Sequence, residues 1–263
     1  MSKIHATAII EKGAKIGKDV EIGPYCVIGK QVVLGDRVKL ISHVCVDGDT
    51  KIGEDSVVFP FASIGHIPQD LKYHGEKTKL EIGKRNRIRE HVTINPGTVT
   101  GSVVTKIGDD CLFMVGAHVA HDCVVGNHVI LANNATLAGH VEVGDGAILG
   151  GLSAVHQFVK IGRGAMIGGM SGVEADVIPY GLVMGERASL HGFNLVGLQR
   201  GGVSKALTKE ILLGFKDLFD KDGTFEEKKA KVRKEYSKNK LMIEILDFID
   251  AGERHRALCI PKG

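Results

Sequence analysis

The chain has no tryptophan, and nine phenylalanines and four tyrosines bring its aromatics to only 5% of 263 residues. A core of large interlocking rings is thereby excluded, so whatever is buried must be small or aliphatic and packed repetitively. Long apolar runs are missing too. Nothing approaches the roughly 18 consecutive apolar residues of a membrane-spanning helix, and residues 1–17 lack the apolar stretch of a secretory leader. The expectation is a cytoplasmic protein without an integral membrane segment. The five cysteines include no C-x-x-C pair, which indicates neither a disulfide framework nor a cysteine zinc site. Cys26, Cys111 and Cys123 are expected at a small-residue packing position instead. Charge of one sign is not in large excess either. The net charge is +3, with 15 Lys and Arg against 11 Asp and Glu from Arg200 onward and 19 against 20 before it. A nearly neutral body with a modestly basic tail suggests no nucleic-acid partner.

What is present is glycine, 35 residues of it, and a period of six. Steps of six from Ile4 give Ile10, Ile16, Ile22, Ile28, Leu34, Leu40, Val46, Ile52, Val58 and Ile64 without a failure. The phase resumes at Ile82, Ile88 and Ile94. After a one-residue slip it runs Ile107, Phe113, Val119, Val125, Leu131, Leu137, Val143, Leu149, Val155, Ile161, Ile167 and Val173. Four residues after each of these sits something small or β-branched, such as Ala14, Val20, Cys26, Val32 or Ser56, and glycine often follows directly, as at Gly17, Gly23, Gly29, Gly35 and Gly53. Six residues are too few for an amphipathic helical stripe but suit a short strand and a corner. Three such units close a triangular coil that places residue i beneath residue i+18, with aliphatic ladders inside. Corners are expected to want residues without a bulky Cβ.

The reading is an all-β solenoid plus α: a parallel β-helix over residues 1–186, with protruding loops at 66–81 and 100–106, then a helical region at 187–263. Ser204 is the expected N-cap of a helix carrying Leu207, Ile211, Leu212, Phe215, Leu218 and Phe219. Thr224 caps a second helix with Val232 and Tyr236, and a third carries Leu241, Ile245, Leu246, Phe248 and Ile249. These helices are expected to cover one end of the prism, where unpaired ladder edges would otherwise be exposed.

Hexad arithmetic also places the histidines. The units starting at Val119, Leu137 and Val155 fall on one face in successive coils, so His121 and Asp122 lie one coil from Gly139 and His140, which lie one coil from Gln157. All occupy outward positions. His118 and His156 join the same strip; His128 falls on another face and is not expected in the site. A histidine held by a carboxylate can take the proton of an attacking hydroxyl, and a glycine N–H can meet the oxyanion that follows. Gly139, stacked over His121, is placed for the second role. Zinc binding by the histidines, as in carbonic anhydrases of the hexapeptide class, is the alternative, and a scaffold without catalysis is a third.

Five stretches carry a resemblance: Gln69-Asp70-Leu71-Lys72-Tyr73, Arg85-Asn86-Arg87-Ile88-Arg89-Glu90, His118-Val119-Ala120-His121-Asp122-Cys123, Ile130 through His140, and Ala154-Val155-His156-Gln157-Phe158. In this order they resemble the UDP-N-acetylglucosamine acyltransferases. The resemblance implies a left-handed prism and a homotrimer that needs no metal or cofactor. It implies transfer of an (R)-3-hydroxyacyl chain from acyl carrier protein to the 3-hydroxyl of UDP-N-acetylglucosamine, at the start of lipid A synthesis. His121 then matches the general base, Asp122 its orienting carboxylate and Gly139 the oxyanion amide. Gln69, Asp70 and Lys72 match substrate contacts in the first loop; His118, His140, His156 and Gln157 match groups around the sugar and diphosphate. Asn194 and Arg200 match the outer nucleotide and acyl-donor region, and Gly169 the acyl-chain ruler, left open here for a long chain. Three positions depart from the common pattern: Asn95, where many members have histidine, Val196 and Glu186. Asn95 leaves a UDP-3-amino sugar as an alternative acceptor. The acidic carrier is expected to dock on the basic tail, at Lys205, Lys209, Lys228, Lys229, Lys231, Arg233 and Lys234.

Overall fold

The computed structural model describes residues 1–251 and 255–262. Residues 252–254 and 263 of the expected helical region lie outside the described residues. Each aliphatic of the six-residue series ends a short strand, 26 in all from Lys3–Ile4 to Gly172–Val173. They form three parallel sheets in which every strand bonds to its counterpart one coil later, as in Ile4↔Ile22 and Ile22↔Leu40. The spacing of 18 widens only in the two coils that carry inserted chain, at Ile52↔Ile82, Val58↔Ile88 and Ile64↔Ile94 and then at Ile82↔Ile107, Ile88↔Phe113 and Ile94↔Val119.

The interior is the expected pair of ladders. Ile28, Val32, Leu34 and Val38 are buried to within 1% of full burial, and each such side chain contributes about 1.5–3 kcal/mol relative to exposure. Cys26, Cys111 and Cys123 are likewise buried in the small-residue ladder. Phe113 takes one aliphatic rung and is the largest fully buried side chain.

The corners differ from expectation. Among the described residues eighteen non-glycines have positive φ, including Tyr25, Arg37, Phe61, Asp110, Asp122, His140 and Phe158. Their left-handed backbone lets the second turn residue donate its N–H to the coil below, as Phe158 does to Gly139 O at 3.2 Å, and this recovers the strain of a Cβ at that φ. The glycines that follow the aliphatics answer a different need. At Gly35 a Cβ would stand 2.7 Å from Glu54 N in the next coil, so close stacking rather than φ requires glycine there.

Both insertions leave the prism at the same corner, after strands Ser63–Ile64 and Thr93–Ile94 of one sheet. Their extent needs correction: strands Lys79–Ile82 and Val104–Ile107 occupy the ends of the expected loops 66–81 and 100–106. Leu80 and Thr105 are buried ladder rungs, and a reading keyed to the main aliphatic overlooks the inward residue two positions before it. The chain likewise stays in the sheet past residue 186, because Ser189–Phe193 pairs antiparallel with Gly181–Met184.

Among the described residues four helices follow: α1 (Leu195–Arg200), α2 (Lys205–Leu218), α3 (Phe225–Glu235) and α4 (Lys240–Asp250). Ser204 caps α2, and Thr224 with Glu227 forms a capping box on α3. The short α1 has no apolar period and escaped sequence reading. Phe193 meets Phe215 at 5.1 Å, and Tyr180 donates to Glu244 at 2.7 Å, so the helices close the C-terminal end. At the N-terminal end Ile4 and Ile9 remain 50% and 60% exposed.

Candidate active site

The corner that carries both insertions is, one coil later, the turn at His121-Asp122. Strand His118–Val119 pairs with Thr136–Leu137, which pairs with Ala154–Val155, so the strip deduced from hexad spacing is real. His140 N–H donates to His121 O at 3.0 Å. The rings continue the column: His121 meets His140 edge-on at 5.1 Å, and His140 stacks on Phe158 at 4.5 Å.

His121 and Asp122 point out of the prism, yet they are 8% and 4% exposed, because the loop at 95–103 folds over them. The Asp122 carboxylate accepts from Thr98 Oγ1 at 2.6 Å, Thr98 N at 3.1 Å, Ser102 N at 2.8 Å, Ser102 Oγ at 3.1 Å and His121 Nδ1 at 2.9 Å. Burial would raise its pKa, but the bonds from His121 and Thr98 and the charge of His140 together hold it well below the usual carboxylate range. An ionised carboxylate can only accept. His121 therefore donates its Nδ1 proton to Asp122, which in the neutral ring leaves Nε2 bare as a base.

Gly139 lies against that ring. A Cβ there would stand 2.5 Å from His121 Cε1 and 2.7 Å from Nε2, so only glycine admits the imidazole in this pose. The Gly139 N–H has no acceptor among the described residues, and it is available to a developing negative charge.

His118 is half-buried, with Nδ1 bonded to Thr93 Oγ1 at 2.6 Å; burial, then the charge of His121, push its pKa down. His140 is also lowered, by burial first, with the charge of Asp122 opposing. The charge of Asp70 in the first loop also opposes the lowering of His140; within that loop Asp70 accepts from Lys72 N at 3.0 Å. Gln69 and Lys72 are exposed, as are His156 and Gln157 on the coil above. Asn95 donates to the carbonyls of His66 and Ile67, anchoring the base of the same loop. Thr98, Ser102 and Thr93 were missed from sequence. The hydroxyl-rich run from Thr98 to Ser102 was a faint signal, but an insertion hides the register that brings it over Asp122.

Other expected residues lie elsewhere on this chain. Asn194 caps α1 and donates to Gly164 O, at the corner that Gly164, Asp145, Asn127 and Gly146 share with His128. Arg200 and Val196 are exposed on α1, and Glu186 on the hairpin turn. Gly169 is exposed, and a Cβ would meet only Gly151, at 3.3 Å. Among the basic residues of the tail, Lys229 pairs with Glu226 and Asp250, Arg233 with Asp247 and Asp250, and Lys231 with Asp217. Three of the seven expected docking residues are thus paired within the helices.

His121, Asp122 and His140 bring one ligand atom each within 4.8 Å of one another, the minimum for the zinc alternative. The donor set argues against it: both Asp122 oxygens are engaged by N–H and O–H donors, and His121 Nδ1 faces the carboxylate.

Residues 1–36 and 104–139 match the bacterial transferase hexapeptide family (six repeats), and 176–259 match Udp N-acetylglucosamine O-acyltransferase, domain 2. The acyl-[acyl-carrier-protein]–UDP-N-acetylglucosamine O-acyltransferase of Caulobacter vibrioides is 55% identical over 259 residues, covering 98% of each chain. A crystal structure of UDP-N-acetylglucosamine acyltransferase superposes with a TM-score of 0.94 at 45% identity, covering 100% of both chains. The Campylobacter jejuni enzyme does so at 0.90 and 41%, covering 99% of this chain and 100% of its own. With its fold a left-handed parallel β-helix closed by C-terminal helices, the chain belongs to the UDP-N-acetylglucosamine O-acyltransferase family.

Proposed function

We propose that the protein transfers an (R)-3-hydroxyacyl chain from acyl carrier protein to the 3-hydroxyl of UDP-N-acetylglucosamine, the first step of lipid A synthesis, with His121 as general base. The observation that carries the mechanism is the His121–Asp122 bond of 2.9 Å beside the unbonded N–H of Gly139. His121 Nε2 takes the proton of the sugar hydroxyl as its oxygen attacks the thioester carbonyl. The resulting oxyanion accepts from Gly139 N–H. Collapse breaks the C–S bond, and His121 returns its proton to the departing thiolate.

The reading extends to a homotrimer with sites between subunits. Asn194 and Arg200 belong to a different edge of the prism from His121, while His156 and Gln157 stand exposed on an open face; a neighbouring copy resolves both facts. A cytoplasmic setting fits five free cysteines, and no helix among the described residues is long and apolar enough to cross a membrane. Carrier docking narrows to Lys205, Lys209, Lys228 and Lys234, which form no ion pair among the described residues.

One observation favours a second acceptor. The buried Oδ1 of Asn95 has no hydrogen-bond partner among the described residues, and a UDP-sugar with a 3-amine offers one more donor hydrogen than the hydroxyl. Mass spectrometry of the product from a mixed acyl-carrier pool with each UDP-sugar decides: acylation of the hydroxyl sugar is expected, the amine alone would correct the acceptor, and no product with either would overturn the reading.

A further inference from the structure

The last stretch of the chain returns across the final coil. Asp176 N–H donates to Ala257 O at 2.7 Å, Cys259 N–H to Asp176 O at 2.8 Å and Leu190 N–H to Ile260 O at 3.1 Å, while the Cys259 side chain is buried. Docked in this way, the segment sets two side chains on the histidine column that sequence reading had not singled out. His255 packs on Phe158 at 5.1 Å. Arg256 donates through Nε to Gln157 O at 2.8 Å and through Nη2 to His156 Nδ1 at 2.5 Å.

A guanidinium has donors and no acceptor, so His156 Nδ1 must be bare and its ring proton sits on Nε2, the nitrogen away from Arg256. Arg256 spends two N–H groups on these neutral partners and forms no ion pair among the described residues. A full positive charge with spare N–H groups thus stands half-buried beside an imidazole N–H and the exposed amide of Gln157. Such a set is complementary to a tetrahedral oxyanion, and a guanidinium fork is the group best shaped for phosphate.

We infer that Arg256 and the Nε2–H of His156 form a phosphate-binding subsite for the diphosphate of the nucleotide sugar, completed by the returning C-terminal segment. The inference rests on the proposed function, since both partners of Arg256, His156 and Gln157, belong to the strip that the family resemblance places around the sugar and diphosphate of that substrate; Arg256 is the group it adds. A phosphodiester on the arm of the acyl donor shares this chemistry, so the test has two arms.

The experiment uses the full chain with Arg256→Gln and Arg256→Lys. The Kd for UDP is measured by calorimetry, and KM for UDP-N-acetylglucosamine and for the acyl carrier by initial rates. Loss of a charged hydrogen bond predicts a rise of about 10- to 100-fold in UDP Kd and nucleotide-sugar KM for Arg256→Gln. The effect should fall on KM more than on kcat, the acyl-carrier KM should stay within about twofold, and Arg256→Lys should recover part of the loss. Alkylation of Cys259, localised by mass spectrometry, checks that the segment is still docked, because undocking would expose that thiol. An unchanged UDP Kd with Cys259 protected overturns the inference, as does an effect confined to the acyl-carrier KM. Failure of the unsubstituted protein to bind UDP or its sugar would instead overturn the proposed function.

Discussion

Asp110 and Asp122 stand on two corners of the same coil with the same left-handed backbone, φ 58° and 59°. One coil later each has a histidine above it, His128 and His140, again at matching φ of 56° and 62°. The two corners nevertheless differ in every chemical respect. Asp110 meets Arg85 in solvent, with bonds of 2.7 Å and a side chain 30% exposed. Asp122 has no exposed side-chain surface and is held by Thr98, Ser102 and His121. The prism supplies the geometry many times over; the inserted loop at 95–103 makes one copy of it a buried, pre-oriented pair. The residues around each aspartate complete the contrast, His121 and Gly139 at one corner against Asp109 and Asn127 at the other.

The strongest way to break this comparison is to remove the base. His121→Ala is expected to lower kcat by about 10²–10⁴-fold with the circular dichroism of the folded chain retained, whereas His128→Ala should leave turnover unaltered. Equal effects at the two corners would show that the buried pair is not the source of activity. Next is the glycine that admits the ring. Gly139→Ala puts a methyl 2.5 Å from His121 Cε1, and displacing the ring together with the oxyanion donor should cost about 10²–10³-fold in kcat. Asn127→Ala, its counterpart, should cost no more than experimental error.

Smaller effects test the loop. Thr98→Val deletes the 2.6 Å bond to Asp122, with an expected loss of about 1.5–3 kcal/mol in unfolding free energy, most of it restored by Thr98→Ser. Arg85→Gln at the solvent corner should leave Tm unmoved. The smallest difference lies in acid. Both carboxylates are held below their ordinary value, Asp122 by the balance described above and Asp110 chiefly by its bonds to Arg85. A folded pKa below the unfolded value of about 3.9 means stability that is complete above it and lost as pH falls through the folded pKa. Asp122→Asn should therefore flatten the fall in stability below about pH 4, and Asp110→Asn should do so less, because its pair with Arg85 is screened by solvent. Denaturant midpoints across that range distinguish the two.

By itself the amino-acid order determined the prism, its rungs and the histidine strip, because a period of six with 18 residues to the coil is a local rule that repeats until noise is excluded. Ile4 to Val173 are rungs because each is apolar at the right distance from the last. His121, Asp122 and Gly139 could be stacked by counting, since no insertion separates them. The helix caps Ser204 and Thr224 were legible for the same reason: capping acts within three residues. Tertiary structure alone decided what counting cannot carry across a loop or a chain end. Thr98 reaches Asp122 over an insertion that breaks the register, and α1 and the returning segment of Ala257–Ile260 have no period to announce them. That outward residues such as His121 and Asp122 are buried, and that Arg256 lies against His156 and Gln157, follow from how an inserted loop and the chain's end fold back on the prism. Those contacts are set by packing between segments distant in sequence, where no local periodicity constrains the pairing.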